Sequence, residues 1–406
     1  MSGRGRPVLG IGIVGLGGAA LGMMPAMDRS EVFRIAAAAD IDPDILGRFA
    51  ADYPGARSYR DVAALCADPA VDLVYIGTPN RLHAEHACIA LEHRKHVLIE
   101  KPMAVSLEEA DRMIATAGRN GVLLGVNVKH SFEPRIRKIR EFAVSGTFGR
   151  LRMVNSWRYG DWLYRPRSAS ELTLQWGGGI VWRQAPHQVD ILRTIGGGLM
   201  RSVRASAGVW DPARRVAGAY SMWFEFEDGV CGTAVFSGYD HFDSNPLVHG
   251  FDAVQPLAEP RRHARARREL LGRAGDPGWE EAAATAERYG GGRRSSGPKA
   301  DTAPSGGWVL GGPLIASFDH ADIRLSPRGL VLDGDTEQQE IVIPPGVDGP
   351  HNRLRTFHDA IVDGRPLPAD GRWGKATQEV IQAIEDSTAQ RSEIMLRYQI
   401  PAIDQW

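Results

Sequence analysis

Three cysteines in 406 residues are too few for a disulfide framework, and Cys66, Cys88 and Cys231 show no metal-ligand spacing. They read as small apolar groups in a reducing cytoplasm. No apolar run approaches the ~20 residues of a membrane span. Charge of one sign is also missing: 48 Lys and Arg balance 49 Asp and Glu, which argues against nucleic acid as the main partner. The basic start Met1 to Pro7 leads straight into an apolar strand, unlike a signal peptide. No internal repeat and no metal-binding cluster stands out. What remains is an ordinary globular composition, 43% hydrophobic and 24% charged, long enough for two domains.

The N-terminal stretch Gly10-Ile11-Gly12-Ile13-Val14-Gly15-Leu16-Gly17-Gly18-Ala19-Ala20 is the most informative in the chain. Val8 to Val14 supplies the continuous apolar run of a buried parallel strand. Gly15 permits a tight turn, Gly17 lets the backbone approach a pyrophosphate, Gly18 opens a helix and Ala20 keeps that helix close to the strand. The pyrophosphate would rest on the free N–H groups of the helix. A second strand, Phe33 to Ala39, ends at Asp40, about 20 positions on, where a ribose diol would be held. Asp42 adds negative charge and nothing basic follows Asp40 before Arg48, so NAD is expected rather than NADP.

Strand and helix patterns then alternate to about Val128, the cadence of a doubly wound parallel sheet over residues 1–128. Residues 129–406 read as a second, α+β domain. Its alternating segments at Leu151 to Arg158, Val203 to Val209, Ala219 to Glu227, Val230 to Ser237 and Ile323 to Ile343 predict a mainly antiparallel sheet. Asp228-Gly229 marks a hairpin turn. Between about 251 and 308 lies a basic run (Arg261, Arg262, Arg265, Arg267, Arg268) and then a Gly/Ser-rich stretch, read as a short exposed helix and a mobile loop.

Three clusters could carry chemistry. Thr78-Pro79-Asn80, with His83 opening a helix, follows a strand and could bond a nucleotide; a plain turn with Asn80 as N-cap fits equally. Glu100-Lys101-Pro102 places an aimed cation at the next strand end. Beside an oxidised nicotinamide its pKa would fall and it could exchange a hydroxyl proton. A surface lysine is the bland alternative. Gly177-Gly178-Gly179 precedes Pro186, in the first turn of a helix, with His187 and Asp190 one turn apart on one face. His187 suits proton transfer and Asp190 could orient its ring, although a lone His is more often a core residue.

Together GLGGAA, Asp40, TPNRLH, EKPMA and the GGG…His187…Asp190 segment resemble the glucose-fructose oxidoreductase/inositol dehydrogenase/MocA family, in order over Val8 to Leu192; Gly364-Arg365-Pro366 and the last helix match its C-terminus. The resemblance implies a Rossmann domain, a C-terminal domain with a large open sheet, NAD(P)-linked redox chemistry, catalytic roles for Lys101 and His187, and a homodimer or homotetramer. One departure stands out: the acid common four residues before the His is here Arg183, which suits an anionic substrate better than a sugar. Within the family the segments Asn155 to Arg167, Gln184 to Asp190, Trp210 to Arg214 and Ser237 to Ser244 are most similar to phthalate 4,5-cis-dihydrodiol dehydrogenases. That resemblance implies oxidation of an anionic cis-dihydrodiol to a catechol. Arg183, Arg165, Arg167 and Arg158 are candidates for its carboxylates, and Tyr159, Trp162 and Tyr164 for its ring. Rival expectations are a sugar or inositol dehydrogenase, an NAD-dependent redox glycosidase and a non-catalytic dinucleotide sensor.

Overall fold

The computed structural model describes residues 6–248, 264–273, 276, 278–291, 312–344 and 349–404. Its first half builds β1 (Leu9–Val14), α1 (Gly18–Asp28), β2 (Phe33–Ala39), α2 (Pro43–Asp52), β3 (Arg57–Tyr59), α3 (Val62–Cys66) and β4 (Leu73–Ile76). α4 (His83–Glu92), β5 (His96–Ile99), α5 (Leu107–Asn120) and β6 (Leu124–Val126) follow. The six strands form one parallel sheet in the order β3-β2-β1-β4-β5-β6. The order reverses between β1 and β4, so a crevice opens at their carboxyl ends. Local chemistry sets the helix ends. Asp42 caps α2 by accepting from the N–H groups of Asp44 and Ile45, and Ser106 caps α5 through Glu109 N. Gly121, at φ 65°, ends α5 in the left-handed conformation.

The second half contains α6 (Pro134–Ser145), β7 (Leu151–Tyr159), α7 (Ile180–Arg183), α8 (Ala185–Gly196), β8 (Met200–Gly208), β9 (Ala219–Phe226) and β10 (Cys231–Ser237). Next come α9 (Arg265–Gly272), α10 (Trp279–Ala286), β11 (Leu314–Phe318), β12 (Ala321–Leu325), β13 (Gly329–Gly334) and β14 (Gln338–Val342). The chain ends with α11 (Gly349–Asp363), α12 (Gly371–Gln390) and β15 (Ile394–Met395). Among the described residues these strands make a nine-stranded sheet, β14-β13-β12-β11-β7-β10-β9-β8-β15, antiparallel except for β7 against β10. One face packs on α8 and α12 through residues such as Val189, Leu192, Ile381 and Ile384. The other leaves Met153, Trp157 and Trp223 about 40% exposed. An α/β architecture with one parallel and one mainly antiparallel sheet is therefore what the chain adopts.

Three short strands, β3, β11 and β15, were not legible in the hydropathy pattern. α11 returns to the first sheet, where Leu354 and Phe357 join the core with Met23 and Phe33, and Arg6 pairs with Asp359. The insert holds two helices where one is expected from the sequence; Arg261, Arg262 and the Gly/Ser-rich stretch lie outside the described residues. Cys66 is buried, whereas Cys88 and Cys231 are half-buried, and all three are free thiols. No helix among the described residues is long and apolar enough to cross a membrane.

Candidate active site

The βα turn after β1 has the shape its glycines predict. Gly15 has φ +85°, and a Cβ there would come within 2.8 Å of Thr78 Cγ2. At Gly17 and Gly18 a Cβ would meet nothing nearer than 3.9 Å, which leaves the approach to the α1 N-terminus open. Ala20 is fully buried. Asp40 is locked to this turn: Oδ2 accepts from Leu16 N at 2.8 Å and Oδ1 from Asp42 N at 3.0 Å. Each oxygen keeps a lone pair for a diol. A cleft of about 1100 Å³ runs from here between the two sheets, and every residue the sequence assigned to the coenzyme lines it except Ala20. Open backbone, a helix N-terminus and an acid at the second strand end fit a dinucleotide.

Arg60, from the end of β3, also lines the cleft and reaches Ile41 O at 3.5 Å. Counting residues after Asp40 could not reveal it. Asp40→Ser should therefore weaken NAD use and raise kcat/KM for NADP by roughly tenfold, because the repelling carboxylate goes while a cation stays nearby. Unchanged NAD and NADP kinetics would contradict this role for Asp40.

The crevice loops are tied to one another as well as open to a ligand. His83 is buried, with Nδ1 2.8 Å from Pro102 O and Nε2 2.9 Å from Thr78 O. Burial pushes its pKa to about 4 against the pull of those two carbonyls. Thr78 Oγ1 pairs with His86 Nδ1. Asn80 does not cap a helix; its amide spans the domains, donating to Gly177 O at 3.3 Å and accepting from Arg183 Nη1 at 3.2 Å. Glu100 Oε1 accepts from Tyr75 Oη (2.6 Å) and Asn127 Nδ2 (2.5 Å), which fixes the strand end that carries Lys101.

Lys101 is not a solvated lysine. Its Nζ donates to Arg183 O at 3.0 Å, and burial lowers its pKa to about 8, with Glu100 opposing and Arg183 adding to the fall. Pro186 sits in the first turn of α8, as expected, and the next residue, His187, meets the edge of the His130 ring at 5.0 Å between centroids. Burial, then the charge of Lys101 and the neighbouring His130, drive the His187 pKa well below 6.5. His130 was missed in the sequence. It follows β6, another carboxyl strand end, and that position was its only signal. His130 is 2% exposed and its Nε2 has no hydrogen-bond partner among the described residues.

The side chain of Arg183 is half-buried, its Nε has no hydrogen-bond partner among the described residues, and desolvation lowers its pKa against the counter-charge of Glu171. Glu171, like Arg60 and His130, is a residue the sequence did not reveal. Arg167, a candidate for the substrate carboxylates, is clamped within the protein: it lies 4.5 Å over the Trp162 ring, Nε donates to Trp162 O, and Nη1 pairs with Glu171 at 2.8 Å. Trp162, 3% exposed, therefore supports Arg167 from the core and offers the cleft no ring of its own. Arg165 lines the cleft, half-exposed and paired with Asp161. Tyr159 and Tyr164 line a separate cavity of about 520 Å³ with Trp210, Tyr239 and Phe242. Arg158 is buried beside Asp243.

Asp190 faces away from the role considered for it. Its Oδ1 accepts from Trp373 Nε1 at 2.8 Å and Oδ2 from Ser131 N at 3.3 Å, so it anchors α8 to α12 and makes no hydrogen bond to His187. Asp190→Ala leaves the indole N–H buried without an acceptor and should cost about 1–3 kcal/mol in urea unfolding. Asp190→Asn, which can still accept from Trp373, should lose less. Equal stability of all three proteins would show the contact to be unimportant.

The parallel sheet, the diphosphate-ready turn and the half-buried lysine lining the cleft define an NAD-dependent oxidoreductase. Residues 9–128 match the model of the oxidoreductase family with an NAD-binding Rossmann fold, and residues 136–269 match the GFO/IDH/MocA C-terminal domain. The chain belongs to this family. It is 38% identical over 378 residues, 92% of this chain and 93% of the other, to 1-carboxy-3-chloro-3,4-dihydroxycyclohexa-1,5-diene dehydrogenase of Comamonas testosteroni. Among solved structures it is similar to a putative dehydrogenase of Bordetella bronchiseptica RB50 (35% identity, TM-score 0.85, covering 96% of this chain and 100% of that one). It shares its fold with a levoglucosan dehydrogenase solved with NADH and levoglucosan (17% identity, TM-score 0.72, covering 96% and 99%).

Proposed function

We propose that the protein oxidises a carboxylated cis-dihydrodiol ring, of the phthalate 4,5-cis-dihydrodiol type, to the corresponding catechol. The observation that carries this reading is Arg183: a half-buried guanidinium whose Nε finds no hydrogen-bond partner among the described residues, and whose main-chain oxygen holds the amine of Lys101. A carboxylate placed against that guanidinium would bring the rest of the ring toward Lys101. The relative from Comamonas testosteroni, whose name specifies a carboxylated dihydroxycyclohexadiene, supports the same substrate class.

NAD, when bound, accepts the hydride that leaves the carbinol carbon. The neutral amine of Lys101 takes the proton of the hydroxyl on that carbon as its C–H bond breaks. The hydroxy-enone so formed loses its remaining ring C–H proton, gains one on the ketone oxygen and becomes the catechol; overall, diol and NAD give catechol, NADH and one proton. In this reading His187, kept neutral by burial and by the charge of Lys101, hydrogen-bonds the reacting oxygen, with the edge of the His130 ring against its own as support. Lys101 and His187 thus orient the diol and stabilise the developing alkoxide.

The test is NADH formation followed by absorbance with the cis-4,5-dihydrodiol of phthalate, a monocarboxylated dihydrodiol, an uncharged dihydrodiol, and a panel of inositols and aldoses. Turnover is expected with the carboxylated dihydrodiols first. Preference for a polyol would overturn the proposal in favour of a sugar dehydrogenase.

A further inference from the structure

The coenzyme cleft is walled in part by a segment that belongs to neither sheet. α10 and the turn after it place Glu281, Ala284, Glu287 and Arg288 in the lining. α10 itself buries no residue, so its own apolar packing does not explain where it lies. It is held at its two ends, by polar latches and, at Tyr289, by packing in the core against the edge of Phe49.

The first latch is on the substrate side. Glu280 is gripped by Arg214, whose Nη2 is 2.9 Å from both carboxylate oxygens and whose side chain is 5% exposed. Glu280 Oε1 also accepts from Arg167 N at 3.2 Å, and Glu281 Oε2 from Ala169 N at 3.3 Å. These amides belong to the loop that carries Arg165 and Arg167 into the cleft. The second latch is on the coenzyme side. Tyr289 is 3% exposed; its N–H donates to Leu16 O at 3.1 Å and its Oη to Asp52 Oδ2 at 2.5 Å, while Arg48 Nη1 donates to Gly290 O at 2.6 Å. Leu16 is the central residue of the diphosphate turn, and its own N–H is held by Asp40. Glu287 O passes within 3.9 Å of where a Cβ of Gly18 would stand.

We infer that Trp279–Gly291 is a coenzyme clasp: a strap fastened to the pyrophosphate turn at one end and to the substrate loop at the other, which must unlatch for the dinucleotide to enter or leave. This rests on the cleft being the coenzyme site and goes beyond the substrate proposal. Its residues are positioning residues for the coenzyme, since they act through Leu16 and the 165–169 loop. Because the strap is a barrier, loosening it accelerates entry and exit alike; because it spans both domains, it also holds them at a fixed separation over the bound coenzyme.

The experiment uses the full-length protein and NADH fluorescence in a stopped-flow instrument: mixing gives the association rate, and chase with excess NAD gives the off-rate. In Glu280→Ala/Tyr289→Phe, two hydrogen-bonded anchors weaken, and both rate constants should rise, the off-rate roughly tenfold, with Kd changing less than either. Glu280→Gln/Glu281→Gln, which keeps side-chain size and leaves the Tyr289 end intact, should move both rates in the same direction and serves if the first variant melts early. An off-rate within twofold of the unaltered protein in both variants overturns the clasp. So does a faster off-rate with an unchanged association rate, which would make α10 an ordinary binding contact. Failure of the unaltered protein to bind NADH at all would instead remove the coenzyme assignment of the cleft.

Discussion

Lys101→Ala is expected to lower kcat by roughly 10²–10⁴-fold while the Kd for NAD changes little. The amine is held at the mouth of the cleft by Arg183 O and by a strand end that Glu100, Tyr75 and Asn127 make rigid. It is basic only when neutral. Burial, aided by Arg183 and opposed by Glu100, sets its pKa at about 8, so the neutral fraction grows as pH rises toward that value. kcat/KM for the unaltered enzyme should accordingly climb about tenfold per pH unit below about 8 and level off above it. His187 gives no limb in this range, because its pKa lies well below 6.5 and the ring stays neutral throughout. The limb should disappear in Lys101→Ala. A pH profile flat from 6.5 upward in the unaltered enzyme would remove Lys101 as the proton acceptor and leave that part to His187.

Arg183→Gln should reduce kcat/KM for a carboxylated dihydrodiol by roughly 30–100-fold, the 2–3 kcal/mol expected of a charge-assisted hydrogen bond made in a desolvated site. An uncharged dihydrodiol should lose far less. The comparison is needed because Arg183 also donates to Asn80, so the substitution disturbs a contact between the domains. Gln at this position can still reach an acceptor as a neutral donor, which separates charge from shape. An equal loss on both substrates would show Arg183 to be part of the domain contact and would leave the carboxylate without a partner. The main-chain oxygen that holds Lys101 is unchanged by the substitution, so the pH limb should survive, moved to higher pH because a charge that lowers the Lys101 pKa is gone.

Much of the coenzyme half was legible because its requirements are local. A buried parallel strand demands an apolar run, a left-handed turn residue demands Gly15, and a diphosphate needs the room that Gly17 and Gly18 leave. Pro134, Pro186 and Ser106 likewise mark helix starts through short-range chemistry. β3 and β15 escaped notice because three or two residues carry no periodicity, and β11 because its pairing with β7 bridges more than 150 residues of chain.

The substrate half was harder. An aromatic in a loop looks alike whether it meets a ligand or a core, and only packing shows that Trp162 props up Arg167 while Tyr159 lines another cavity. Arg167 and Glu171 are four residues apart, yet nothing in that spacing announces that the pair is shielded from water and faces Arg183. His130 and His187 are separated by 57 positions in sequence and become neighbours only because the fold brings the segment after β6 against the start of α8. Asp190 follows His187 by one helical turn, but the side of α8 that α12 covers claims its carboxylate for Trp373.

By itself, then, the order of residues determined the dinucleotide-binding turn, the acid after the second strand, the positions of Lys101 and His187 at strand and helix ends, and the two-sheet architecture; each depends on contacts within a few residues or on periodic burial. The tertiary structure alone decided which charges lose water. It took much of the water from Lys101, Arg183 and His187, spent Asp190 on a structural bond, brought Arg60 to the coenzyme side and laid α10 across the cleft. Desolvation depends on what the rest of the chain places overhead, and no short stretch of sequence carries that information.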